Sequence, residues 1–307
     1  MSQAHVDRTQ IPPPGPPPTL RVPAWTETSL ANGARLVVSE KHALPLVAVT
    51  VNFQGGANQF EPAAKHGVAP LVAAGLSEGT TTHTGDQLSE ALQLLGTSIE
   101  TEIGPERGLM RFVVLTPNFA PALGILAEEL LHPTFPAEAV ERWKAQRLVS
   151  LQQEQEKTTY LARSAFKHVV YGPEHPYGWI DREAAIGSLT RDDALAFHRG
   201  YFRPAGALIT VVGDITPAGA KQIVEGALAG WSGSGSLAPF AYPALRAPTP
   251  TTIYIVDKAG AAQSSFSIGL PGPPRSTPDY YALEVMNEIL GALFQSRLNH
   301  AIREEKG

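Results

Sequence analysis

Hydrophobic and polar positions along the chain switch between a two-residue and a helical period, and each switch marks an element. Arg21 to Thr26 leads into the turn dipeptide Asn32-Gly33, after which Arg35-Leu-Val-Val-Ser39 has strand character. Beyond Lys41-His-Ala-Leu-Pro45, the run Leu46-Val-Ala-Val-Thr-Val-Asn-Phe53 reads as a buried strand ended by Gly55-Gly56. The stretch from Gly67 to Thr80 then takes the helical period. Leu71, Val72 and Leu76 supply apolar contacts, Pro70 sits in the first turn where its missing N–H costs little, and Gly79 breaks the element. Pro70, Ala73 and Ala74 stand at i, i+3 and i+4, so they share one face of that helix.

Further along, Thr84-Gly85-Asp86 caps a helix with Leu88, Ala91, Leu92 and Leu95 on its apolar stripe, ending at Gly96. Thr97 to Glu102 and Gly108 to Leu115 read as an antiparallel pair around Gly104-Pro105. Ala120 to Leu131 is an amphipathic helix broken by His132-Pro133, and Pro136-Ala-Glu138 opens a long helix to about Lys157. A helix from Tyr160 to Tyr171, a capped helix from Leu189-Thr-Arg-Asp192 to His198, a strand over Ala207 to Val212 and a helix over Ile223 to Ala229 follow. The flexible Trp231-Ser-Gly-Ser-Gly-Ser236 and the Pro-rich 239–250 then mark a boundary. Beyond it, Thr252 to Val256 and Ser264 to Leu270 read as strands. Pro278 starts a helix with Tyr281, Val285, Ile289 and Leu293 on its stripe, so the opening strand–strand–helix pattern recurs and then stops. The expected organisation is a Pro-rich lead (1–20), a first domain (21–232), a linker (233–250) and the start of a truncated second repeat (251–307).

Composition narrows the function classes. At 307 residues, 43% hydrophobic and 17% charged, the chain is long enough for two globular domains. A net charge of −5 leaves no electrostatic footprint for nucleic acid or anionic membrane. Without cysteine there is no disulfide framework, thiolate metal site or thiol nucleophile. No apolar run approaches the roughly 20 residues of a membrane span. Met1 to Gln10 lacks the apolar core of a signal peptide, and Ile11 to Pro18 is a polyproline spacer. Such a lead is compatible with export as well as with the cytoplasm, so the compartment stays open, with an extracytoplasmic one suggested. No two of the nine histidines stand at i, i+3 or i, i+4.

The order of these pieces carries a resemblance. "Leu-Ala-Asn-Gly" (30–33), "Gly-Gly-Ala-Asn-Gln" (55–59), the Gly67–Thr80 stretch, "His-Pro-Tyr-Gly" (175–178), "Thr-Arg-Asp-Asp" (190–193), "Phe-His-Arg-Gly-Tyr-Phe-Arg-Pro" (197–204) and "Val-Val-Gly-Asp" (211–214) together resemble the pitrilysin-type M16 zinc peptidases, which include mitochondrial processing peptidase. The resemblance implies an α+β fold, LuxS/metallohydrolase-like, with an antiparallel-rich sheet covered by helices. In active members the corresponding helix face carries His-x-x-Glu-His, two zinc ligands and a general base. Here Pro70, Ala73 and Ala74 replace them. The third ligand, a Glu about 76 residues past the second His, falls on Ser150; Glu154 lies one turn further and reads as solvated helix surface.

By the same resemblance the chain is the zinc-less subunit of a heterodimeric M16B-type peptidase, without a cofactor of its own and inactive alone, its zinc expected in an HxxEH-bearing partner. A peptide substrate would lie by β-addition along the edge Thr97, Ser98, Ile99, Glu100 and Thr101. Arg303 occupies the Arg position of the family's substrate-holding Arg–Tyr pair, whose Tyr would fall about seven residues later, outside this sequence; Arg297 is the second candidate. Two other outcomes stay open: a structural or binding protein without a catalytic role, and an autonomous metallopeptidase with non-standard ligands.

Overall fold

The computed structural model describes residues 15–16, 19, 22–233, 240–245 and 250–306. The proline-rich lead lies almost wholly outside them, as does most of the linker at 234–239 and 246–249. The strands are β1 (Thr26–Ser29), β2 (Arg35–Glu40), β3 (Leu46–Gln54), β4 (Glu100–Ile103), β5 (Arg107–Leu115) and β6 (Leu208–Gly213). The α-helices are α1 (Ala57–Phe60), α2 (Val68–Gly75), α3 (Gly85–Leu95), α4 (Phe119–Leu131), α5 (Ala137–Gln155), α6 (Thr158–Tyr171), α7 (Glu183–Gly187), α8 (Arg191–Tyr201), α9 (Pro217–Ala227), α10 (Tyr280–Asn287) and α11 (Arg297–His300). The described residues cluster into two compact units, those within 1–152 and 181–241 in one and those within 153–180 and 242–307 in the other.

The first unit is a six-stranded sheet in the order β1-β2-β6-β3-β5-β4, with β2 and β6 parallel and every other neighbouring pair antiparallel. The expected antiparallel-rich α+β architecture is what the chain adopts. The run read as a buried strand is buried along one face. Val47, Val49, Val51 and Phe53 are buried and the residues between them half-buried, so one sheet face meets the core. Met110, Phe112 and Val114 of β5, Ile209 and Val211 of β6, and Leu36 and Val38 of β2 complete that face. Val72 of α2, Leu123 and Leu126 of α4 and Val224 of α9 belong to the same core. Burying each such side chain contributes about 1.5–3 kcal/mol.

Local sequence explains the helix ends. Thr84 and Gln87 form a reciprocal capping box on α3, which closes on left-handed Gly96, and Thr190 with Asp193 does the same for α8. The Gly55-Gly56 pair has a tertiary reason. Ala57 N and Asn58 N donate to Gly104 O and Pro105 O at 2.8 and 2.9 Å, and a Cβ on Gly56 would lie 2.3 Å from Gly104 O.

In the second unit, α6 leads to a one-turn 3-10 helix at Pro176–Gly178. His175 is buried there, accepts from Tyr177 N at 3.2 Å and stacks on Tyr242 at 5.0 Å, contacts that give it a structural role. The stretches 252–256 and 264–270, expected as strands, join no ladder. Ile253, Ile255, Ile268 and Leu270 are each more than 70% exposed, because a strand needs a hydrogen-bonded neighbour and these segments have none among the described residues. The helix expected from Pro278 forms at α10, with its Tyr281 and Val285 stripe exposed.

Candidate functional site

The helix read from Gly67 to Thr80 is α2, and it is anchored at both ends. Gly67 takes φ 103°, a left-handed N-cap that favours glycine. The buried Glu61 carboxylate accepts from Gly67 N at 3.2 Å, Ala69 N at 2.6 Å and His66 Nδ1 at 2.8 Å, satisfying N–H groups that open the helix. His66 Nε2 faces Asp181 at 3.2 Å, and Arg147 reaches Asp181 at 2.5 Å. Burial disfavours the His66 cation, but hydrogen bonds to Asp181 and Glu61 outweigh it and push its pKa up to about 9. The hydrogen bond from His66 holds the Asp181 carboxyl below its usual range.

At the other end, Gly75 lies against Phe135, whose ring would sit 2.6 Å from an added Cβ. Phe135 is fully buried at φ 46°, a conformation rare for non-glycine residues, and Arg191 Nε donates to Thr134 O and Phe135 O at 2.9 and 3.1 Å.

Between these anchors, Pro70 and Ala74 are exposed and Ala73 half-buried. None of the three side chains carries a lone pair that could bind a metal, so this face does not fit zinc. Ser150 is exposed on α5. Among the described residues no group of three or more His, Asp or Glu side chains is placed to hold a metal ion. Gly75-Leu-Ser-Glu-Gly79 spells the letters of a nucleophile elbow. Ser77, however, sits in the 3-10 turn that ends a helix rather than between strand and helix, and its hydroxyl donates to Ala74 O at 3.4 Å.

The second feature is the sheet edge. β4 is outermost, beside β5, and α2 packs against it within the same unit. The ladder begins at Glu100, so the expected strand starts three residues late. Residues 97–99 lead in, tied by the Thr97 hydroxyl donating to Val113 O at 2.8 Å. A cleft of about 710 Å³, lined by Thr50, Gln93, Thr97, Ser98, Glu100 and Arg111 among others, opens beside this edge. Arg303 belongs to the second unit, in a π-helical turn at Ala301–Glu305, with its guanidinium 4.7 Å from the centroid of the Phe294 ring.

Sequence reading missed the Glu61–His66–Asp181–Arg147 network, since its members are up to 120 residues apart and only His66-Gly67 precedes the helix directly. It also missed Glu129, 1% exposed on α4, whose Oε1 has no hydrogen-bond partner. Burial, with the charge of Glu128 adding to it, pushes the Glu129 pKa up to about 8.

Two family profiles match the chain, "Insulinase (Peptidase family M16)" over residues 35–171 and "Peptidase M16 inactive domain" over residues 188–307. YmxG of Bacillus subtilis, described as an uncharacterized zinc protease, is 23% identical over 278 residues, 90% of this chain and 66% of its own length. An uncharacterized zinc protease of Mycobacterium leprae is 22% identical over 91% of this chain and 63% of its own. The chain thus spans just under two thirds of the length of these relatives.

Among solved structures, the peptidase M16 inactive domain from Pseudomonas fluorescens superposes with a TM-score of 0.76 at 26% identity, covering 92% of this chain and 68% of that one. A Helicobacter pylori protease superposes at 0.71 with 18% identity, over 93% and 69%, and shares the fold. With the two profiles in chain order over most of its length and the Pseudomonas fluorescens M16 domain superposing at a TM-score of 0.76, the chain belongs to peptidase family M16.

Proposed function

We propose that this chain is a non-catalytic M16 subunit. It pairs with an HxxEH-bearing M16 chain, closes part of the chamber that receives a peptide, and contributes Arg303 to the partner's site, where the zinc resides. The observation that supports this most is the α2 face: the helix is held firmly by Glu61 and by the Phe135 contact, yet Pro70, Ala73 and Ala74 offer nothing to a metal or a water. A scaffold kept in place without its chemistry serves binding. An arginine supplies a planar fork of donors suited to a peptide carbonyl as charge develops on it. We further propose that residues 21–232 form the first M16-type domain, 233–250 a linker and 251–307 the start of a second repeat, with Ser150 standing where active members carry their third ligand.

The test is reconstitution. Co-expression with an HxxEH-bearing M16 chain is expected to give a stable pair with peptidase activity above that of the partner alone, and Arg303→Ala is expected to lower it about 10²-fold, the usual cost of losing one such donor. A pair whose activity is indifferent to this chain, or to Arg303→Ala, refutes the catalytic contribution. Stable association with unchanged proteolysis would instead mark a structural subunit, and stoichiometric zinc in the purified chain an autonomous metallopeptidase.

A further inference from the structure

The 3-10 turn at Pro176–Gly178 is a firmly held platform. His168 Nδ1 of α6 donates to Gly178 O at 2.8 Å, and Gly178 N donates to His175 O at 2.8 Å. A Cβ on Gly178 would run into Gly172 O, so the turn closes this tightly on the end of α6 only with glycine there. The platform carries a cluster of rings. Tyr171, which ends α6, lies 5.0 Å from His175 and 5.3 Å from Tyr177, and His175 stacks on Tyr177 at 5.7 Å. A fourth ring arrives from residues 240–245 of the proposed linker, where no helix or strand forms. Tyr242 stacks on His175 at 5.0 Å with the ring planes 9° apart, and on Tyr177 at 5.5 Å and 25°.

The stack is set for a neutral imidazole. Tyr177 N donates to His175 Nδ1 at 3.2 Å, so that nitrogen is the acceptor and the ring's one proton sits on Nε2. A second proton would have to go on Nδ1. It would turn the acceptor into a donor facing the Tyr177 N–H, on a ring that is buried. The titratable groups around the imidazole are Tyr171, Tyr177 and Tyr242, with Glu174 adjoining it in the chain and His168 engaged on Gly178 O. Tyrosine faces attract a cation, but without a paired carboxylate burial wins and holds the His175 pKa below its ordinary value.

We infer that Tyr242 is an acid-released latch on the linker: its ring seats on the His175–Tyr177 platform while the imidazole is neutral, and unseats when His175 takes up a second proton. Above pH 6.5 the imidazole is neutral whether the latch is open or closed, so the latch has its full strength. As pH falls below 6.5 the open form binds the proton first, and closure weakens by at most about tenfold per pH unit. The linker then loses a fixed point, and its path into residues 251–307 is no longer set by Tyr242.

The chain has no cysteine, so a spin label on Ala244→Cys, an exposed linker position, reports this segment alone, and one on the exposed Glu90→Cys of α3 serves as control. Electron paramagnetic resonance on the full chain reads the ratio of mobile to immobile label. At position 244 that ratio is expected to rise between pH 7 and pH 5 while the label at 90 stays unchanged. At pH 7.5, Tyr242→Ala is expected to raise it about tenfold, through loss of two aromatic contacts, and Tyr242→Phe to leave it within about twofold. His175→Phe keeps a ring and removes the titration, so its ratio is expected to be indifferent to pH. A wild-type ratio that ignores pH or falls in acid, a pH response that survives His175→Phe, or a label at 90 that loosens in step would each overturn the acid release. Tyr242→Ala no looser than wild type, or Tyr242→Phe as loose as Tyr242→Ala, would overturn the ring stack as the latch.

Discussion

Glu129 is a carboxyl carried inside the first unit at a cost that depends on pH. Its Oε1 meets no donor, its side chain is 1% exposed, and desolvation together with the nearby Glu128 raises its pKa from 4.5 to about 8. Below pH 4.5 the folded and unfolded chains both hold the proton, so nothing is lost. Between pH 4.5 and 8 the unfolded chain releases it and the folded chain keeps it, and stability falls by about 1.4 kcal/mol per pH unit. At pH 7 the accumulated loss is about 3 kcal/mol, and above pH 8 it levels off.

Glu129→Gln keeps the shape and removes the titration. Urea unfolding of wild type and variant, followed by circular dichroism between pH 5 and pH 8, reads the effect. The variant is expected to gain on wild type by about 3 kcal/mol between pH 5 and pH 7.5, with the crossover set by how well the amide is accommodated. A difference between the two proteins that stays constant over that range would mean that Glu129 is ionised in the fold, and the reasoning from its burial would be wrong.

Two further expectations concern α2. Glu61→Gln removes the carboxylate that both caps α2 and faces His66, and a loss of about 3 kcal/mol in thermal or urea unfolding is expected, as for a broken buried pair. Because the folded pKa of His66 is raised to about 9, the contribution of its ion pairs is complete below pH 6.5 and is lost as pH rises through 9, so the Glu61→Gln penalty should shrink above pH 9. Grafting Pro70→His, Ala73→Glu and Ala74→His together should create zinc affinity measurable by metal analysis after dialysis. Adding Ser150→Glu should strengthen it, and equal zinc retention with and without that fourth change would show that Ser150 is not at the third-ligand position.

Elements whose signals are local were readable from the chain. The capping boxes at Thr84 and Thr190 are closed by residues three positions away, and the apolar alternation of β5 and β6 needs only a period of two. The absence of donors at Pro70, Ala73 and Ala74 is equally a property of composition at fixed helical spacing.

Other features arise only when distant segments meet. β3 reads as a buried strand from its apolar residues. Which face is covered depends on the helices that pack there, and only one face is. The segments 252–256 and 264–270 have strand composition, yet a ladder is a relation between two chains of amides and they find no second one among the described residues. The strand expected from Thr97 begins at Glu100 because pairing with Arg111 starts there, whatever the propensity of the three residues before it. The anchors of α2 join Glu61 to Asp181 and Arg147 through His66, and Gly75 to Phe135; electrostatics and packing act through space, so no spacing along the chain announces them.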